Sequence, residues 1–278
     1  MNAMNIIMNE ITSRECRRYL DRGGDLVFAP VGAVERLGPH LPLGARNMVV
    51  SAIARLLAEQ NGGLCLPVVP YATVYDTYAQ RGGIDVPPEF MHRYCYDICR
   101  ELEANAFRRI VFVSFQEELY YLSHEYFQEH NLTVVYLNPD AYFNAPETVA
   151  AALDAHGREL WRLIGCLRAD GDTDMLARVL DKTRDCFNAY TPIINENKRV
   201  LDKLGTTGHQ MGADEWRFYP VSLGKSLGET TAFEAPDQSV IDRARDELVN
   251  WVRSLGPSIA DMSKYQNYLD GIEFTRPI

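Results

Sequence analysis

Short apolar runs, rich in β-branched and aromatic residues, recur along this chain with room for one helix between each pair. That alternation restricts the fold more than any other feature. Asp25-Leu26-Val27-Phe28-Ala29-Pro30-Val31 reads as a buried strand entered through Gly23-Gly24, and helical spacing follows over Met48 to Gln60, ended by Asn61-Gly62-Gly63. Leu64 to Pro70 is a second strand, Pro87 to Ala106 a helix, Arg109 to Ser114 a third strand, Leu119 to Glu129 a helix and Leu132 to Leu137 a fourth strand. Helical patterns then occupy Pro146 to Ala155, Thr173 to Leu180 and Gln238 to Leu255. Strand and helix in this order predict parallel βαβ units, hence a layered α/β fold with a mainly parallel sheet. A polar site in such a sheet lies outside the carboxyl ends of the strands, in the loops after Val31, Pro70, Val113 and Leu137. No repeat, linker or shift of composition divides the chain. The expectation is one domain over residues 1–278, with a C-terminal extension from about 256.

With 278 residues, about three-quarters of the chain surface can be buried, enough for a large core without disulfide staples. The net charge of −10 comes from 28 basic and 38 acidic residues, and the longest basic clusters, such as Arg17-Arg18 and Arg108-Arg109, are pairs. Holding a phosphate backbone needs clustered Lys and Arg, so nucleic acid is not expected as a partner. Cys95 and Cys99 sit one helical turn apart, but no second Cys or His pair follows to complete a zinc site. The six cysteines are read as reduced thiols. The first residues, Met1-Asn2-Ala3-Met4-Asn5, lack a basic and apolar leader pattern, and no apolar run reaches membrane-spanning length; the reading is no membrane and a cytoplasmic location.

The segment Pro30-Val31-Gly32-Ala33-Val34-Glu35-Arg36-Leu37-Gly38-Pro39-His40-Leu41-Pro42-Leu43-Gly44-Ala45-Arg46 resembles the signature of the creatininase family, P-V-G-S-x-E-Q-H-G-P-H-L-P-L-G-T-D. The resemblance extends more weakly through Ser114 to Glu118, through Asp170 to Ala177 and to about residue 255. It implies a creatininase-like three-layer α/β/α sandwich, metal-dependent amidohydrolase ancestry and assembly as a homo-oligomer, with six chains as in the family's common hexamers. The many aromatic residues (15 Tyr, 11 Phe, 3 Trp) agree with buried subunit contacts.

The departures from that pattern bear on chemistry. In the family two metals are held by a Glu and a His of the signature, a bridging Asp at its end, and a His and a Glu of N-G-H-x-E-N after the third strand. Here the Glu is Glu35, but Leu37 stands at the His position and Arg46 at the bridging Asp. The third-strand motif reads Ser114-Phe115-Gln116-Glu117-Glu118-Leu119, with Gln116 in place of the second His and Glu118 keeping the carboxylate. Leu167 falls where the family has a catalytic histidine. Two divalent ions about 3.5 Å apart need a bridging carboxylate and several more ligands. Leucine has no lone pair, and an arginine repels the cations it should hold. The reading is a site without metal or other cofactor, in which Arg46 is the internal cation between Glu35 and Glu118.

Further candidates are His40 in the retained G-P-H-L-P-L-G run, Tyr75 and Tyr78 in the loop after the second strand, Asp170, and His209 in the loop Gly205-Thr206-Thr207-Gly208-His209-Gln210-Met211-Gly212. Each has a structural reading beside the substrate-binding one. No G-x-S-x-G or G-x-G-x-x-G motif supports a serine hydrolase or a dinucleotide enzyme. Two functions stay open. One is hydrolase-like chemistry on a C–N or related bond of a small polar molecule, with Glu118 or Glu35 as general base, Arg46 as electrostatic stabiliser and Gln116 as substrate partner. The other is a catalytically silent ligand binder, or a partner subunit of an active paralogue.

Overall fold

The computed structural model describes residues 5–35, 37, 41–74, 82–130, 132–144, 155–188 and 236–271. The elements in chain order are α1 (Ser13–Asp21), β1 (Leu26–Val31), α2 (Ala45–Asn61), β2 (Leu64–Cys65), α3 (Pro88–Ala104), β3 (Arg109–Ser114), α4 (Glu118–Glu129), β4 (Thr133–Leu137), α5 (Ala155–Asp170), α6 (Thr173–Asn188) and α7 (Gln238–Asp270). Helix α1, absent from the sequence-based expectation, opens on a capping box in which the Thr12 and Glu15 side chains each receive the other's backbone N–H.

The four strands form one parallel sheet in the order β2-β1-β3-β4, with Leu26 opposite Arg109 and Arg109 opposite Thr133. All six residues of β1 are buried, as a central strand covered on both faces requires. Its side chains alternate between two cores. Leu26 and Phe28 join Val111 and Val113 in the core that carries residues of α2, α5, α6 and α7. Val27, Ala29 and Val31 join Ile110 and Phe112 in the core that carries residues of α1, α3 and α4. Two helical layers therefore enclose the sheet, giving the expected three-layer α/β/α sandwich.

Three elements depart from their expected bounds, each for a local reason. The second strand shrinks to Leu64–Cys65, with one further bridge from Val69 to Val31, because Pro67 and Pro70 supply no N–H to a ladder. Helix α6 runs past Leu180 to Asn188. The last helix passes Leu255 unbroken to Asp270 with Pro257 inside it, so the boundary expected near 256 falls within α7. Pro257 cannot donate to the Arg253 carbonyl one turn back. Gln60 Nε2 of α2 donates to that carbonyl at 3.1 Å instead, so the freed acceptor is satisfied from the neighbouring helix. Beyond the proline, the Gln266 side-chain oxygen accepts from Thr133 N and Oγ1, both at 2.8 Å, and fastens α7 to the start of β4. The expected helix at 146–155 falls almost wholly outside the described residues. Among the described residues no helix is long and apolar enough to cross a membrane.

Helices α5 and α7 are clamped by Arg168 Nε donating to Asp242 Oδ1 at 2.8 Å. That hydrogen bond is the largest cause holding the Asp242 carboxyl below its ordinary range. A lowered folded value means the clamp is in force above the ordinary aspartate range, near pH 4, and is lost as pH falls through the folded value. Arg168→Gln is expected to remove that part of the acid sensitivity. Unfolding midpoints compared between neutral pH and pH values below about 4 test it, and an unchanged acid profile would refute the assignment.

Candidate functional site

The charged residues of interest gather beyond the carboxyl ends of β1, β3 and β4. Arg46 is the second residue of α2, after Gly44 at the cap. A cation at a helix N-terminus is opposed by the helix dipole, and the first turn of α2 holds no acidic residue to offset it. The compensation is tertiary. Arg46 Nε lies 3.0 Å from Glu35 Oε1, and its Nη2 lies 3.5 Å from Glu159 Oε1 on α5. Both sides of the first pair are largely buried, with 16% of the Arg46 and 18% of the Glu35 side chain exposed. The guanidinium also lies over the Phe115 ring, 3.7 Å from its centre. Burial opposes the Arg46 charge, but Glu159, Glu35 and Asp140 outweigh it, and the group is held above its ordinary value.

A second arginine stands beside the first. The Arg162 side chain has no exposed surface; its Nη2 is 2.7 Å from Asp140 Oδ1 and its Nη1 is 3.4 Å from Glu159 Oε2. Its guanidinium lies 4.8 Å from the centre of the same Phe115 ring. Tyr136, near the end of β4, has a buried hydroxyl with no hydrogen-bond partner among the described residues. Burial first, then Glu117, Asp140 and Glu118, push that hydroxyl well above its ordinary range.

The loop after β3 is tied down locally. Ser114 Oγ donates to the Val31 carbonyl at 2.7 Å and accepts from Gln116 N at 3.1 Å, which joins the ends of β3 and β1. Gln116 is buried, and Glu118 begins α4, where a carboxylate suits the helix dipole. Of the positions expected to line a site, Glu35 and Arg46 are thus brought into direct contact, and the second carboxylate on Arg46 is Glu159, which the sequence reading did not single out. Asp170 is placed elsewhere: it pairs with Arg55, nine residues along α2 from Arg46, or about 13 Å at the helical rise. His40, Tyr75, Tyr78 and His209 lie outside the described residues.

Glu159, Arg162, Asp140 and Phe115 were missed. One usable signal was present. Arg162 interrupts the apolar run Leu160-Trp161-Arg162-Leu163-Ile164, and Glu159 stands one turn before it, so an inward-facing ion pair was legible there. Leu37 packs at the margin of the core shared by α2, α5 and α7, and Leu167 is buried within it. Among the described residues, no group of three or more His, Cys, Asp or Glu side chains is placed to hold a metal ion.

Comparison with known proteins agrees with this architecture. The family described as creatinine amidohydrolase matches residues 9–159. Creatinine amidohydrolase of Pseudomonas putida is 26% identical over 116 residues, which are 39% of this chain and 44% of that protein. The chain thus spans under half the length of that curated relative. Among solved structures, a mutant creatininase of Zn-Zn type superposes with a TM-score of 0.58 at 16% identity, covering 92% of this chain and 99% of the other. A structure described as creatininase Mn gives 0.57 at 15% identity with the same coverage. The match over residues 9–159 takes in more than half of the sequence, Glu35, Arg46 and Gln116 included; the chain belongs to the creatininase family.

Proposed function

We propose that this family member works without divalent metal ions, as a polar pocket for a small polar molecule in which Arg46 is the fixed internal cation. The observation that carries the reading is the placement of the Arg46 guanidinium against Glu35 and Glu159. Carboxylates already neutralised by an arginine, with Leu37 apolar and Gln116 a weak donor, do not fit a two-metal centre. Hydrolase-like chemistry on a C–N or related bond then rests on the chain's own residues. Glu35 is occupied by Arg46, and Glu118 is the general base, drawing a proton from the attacking water and passing it to the leaving nitrogen as the C–N bond breaks. Gln116 and the Arg46 cation face the oxygen on which negative charge develops as the carbonyl carbon is attacked. The observation favouring the silent alternative is that each Arg46 carboxylate partner is committed to an ion pair. A ligand-binding subunit, alone or beside an active paralogue, accommodates that arrangement equally well.

Elemental analysis of the purified protein tests the metal-free reading: far less than one ion per chain is expected, and two zinc or manganese ions per chain would overturn it. Turnover of creatinine and other small cyclic amides in the presence of a chelator separates the two alternatives. Activity that survives chelation and is lost in Glu118→Gln supports chemistry, whereas its absence under all conditions supports the silent binder. A homo-oligomer, six chains in the proposal, accords with the exposed Phe90 and Tyr94 of α3 and Tyr121 of α4. Sedimentation as a monomer at micromolar concentration would refute that part.

A further inference from the structure

We propose that two guanidiniums, those of Arg46 and Arg162, jointly take the place of a pair of divalent ions, with Glu159 as the carboxylate shared between them; the inference rests on the metal-free reading above. The charges form an alternating chain, Glu35–Arg46–Glu159–Arg162–Asp140, with separations of 3.0, 3.5, 3.4 and 2.7 Å. Glu159 uses one oxygen for each cation, Oε1 toward Arg46 and Oε2 toward Arg162. A carboxylate that bridges two metal ions divides its oxygens in the same way. The spacing on α5 makes this possible, because residues three apart share a helix face and Arg162 can reach back to Glu159.

Phe115 completes the arrangement. Both guanidiniums lie within cation–π distance of its ring, so one aromatic residue supports both charges. The Arg162 side chain is wholly buried, and a buried charge persists only where partners compensate it. Three carboxylates and two arginines sum to −1. Two divalent ions added to the group would bring it to +3 with four cations crowded together. Both cations are covalent parts of the chain, so the positive charge of the group does not depend on metal supply.

The test is thermal unfolding of the full chain with and without excess manganese(II), an ion suited to carboxylate oxygens. Four proteins are compared: the unaltered chain, Arg162→Met, Arg162→Lys and the double variant Arg46→Ala/Arg162→Met. The unaltered chain should show no shift with manganese. Arg162→Met should unfold about 10 °C lower, since Glu159 and Asp140 lose a buried partner. Arg162→Lys should fall between, with the charge kept and the planar stack lost. In the double variant Glu35, Glu159 and Asp140 lack both guanidiniums, and millimolar manganese, drawn by the uncompensated negative charge and not by a preformed ligand set, should raise its midpoint, a response that mere loss of packing does not produce. Should the double variant not fold, Arg162→Met and Arg162→Lys decide, and equal midpoints in those two and the unaltered chain overturn the inference. An unaltered chain free of metal, paired with a folded double variant indifferent to manganese, overturns the second-cation inference alone. An unaltered chain that itself takes up two ions overturns the metal-free reading and this inference with it.

Discussion

Arg46→Ala is expected to lower folding stability by about 3–5 kcal/mol, the usual consequence of removing one partner from a buried ion pair. The side chain is 16% exposed, so water screens little of the loss. Glu159 keeps Arg162 as a partner, and the cost falls mainly on Glu35. The Phe115 ring also loses the cation that lies 3.7 Å from its centre. Urea unfolding measures the change, with the denaturant slope unchanged if the compactness of both states is preserved. Arg46→Asp, which restores the family's residue type at this position, should not restore metal binding, because Leu37 and Gln116 still supply no imidazole. A loss below about 1 kcal/mol for Arg46→Ala would mean the pair behaves like an exposed one, and the account of Arg46 as the internal cation would fail.

Gly32→Ala is expected to cost about 1–3 kcal/mol and to disturb the site as well. A Cβ at Gly32 would come within 2.1 Å of Asn47 Oδ1 and 2.8 Å of Asn47 Cα. The first of these atoms is on a side chain and can turn away. The second is backbone of α2, so the helix itself must move. Gly32 N donates to the Val69 carbonyl at 3.0 Å, which keeps the strand end from yielding instead. Since Arg46 precedes Asn47, a shift of this turn also pulls the guanidinium from Glu35 and Glu159. Lower stability, together with reduced near-ultraviolet dichroism from the aromatic residues around the site, is the expected result. A variant as stable as the unaltered chain would show that α2 can retreat without strain.

Much of the layered fold was legible because β1, β3 and β4 are continuous apolar runs, and a strand buried on both faces cannot be written otherwise. The start of α2 was not. Ala45-Arg46-Asn47 shows no apolar stripe, and a cation at a helix N-terminus argues locally against a helix there; Glu35 and Glu159 supply the compensation from elsewhere in the chain. Pro257 likewise reads as a stop, and only Gln60 of another helix satisfies the carbonyl it leaves without a donor. In both cases a long-range polar partner overrode a sound local rule.

The same division holds at the site. The residues of a single segment, Glu35 and Arg46 in the Pro30 to Arg46 run, declared themselves through the resemblance to a family pattern, because a short loop keeps its members close whatever else the fold does. Sequence alone therefore determined the alternation of elements, the parallel sheet and the strand ends where polar groups collect, and the family resemblance supplied the expectation that Leu37, Arg46 and Gln116 stand at ligand positions. Only the tertiary structure decided which acid answers Arg46 beside Glu35, that Arg162 lies fully buried next to it, and that Phe115 supports both cations. Ion pairing is set by distance and burial, and these depend on how α2, α5 and the end of β3 pack together, which no local spacing encodes.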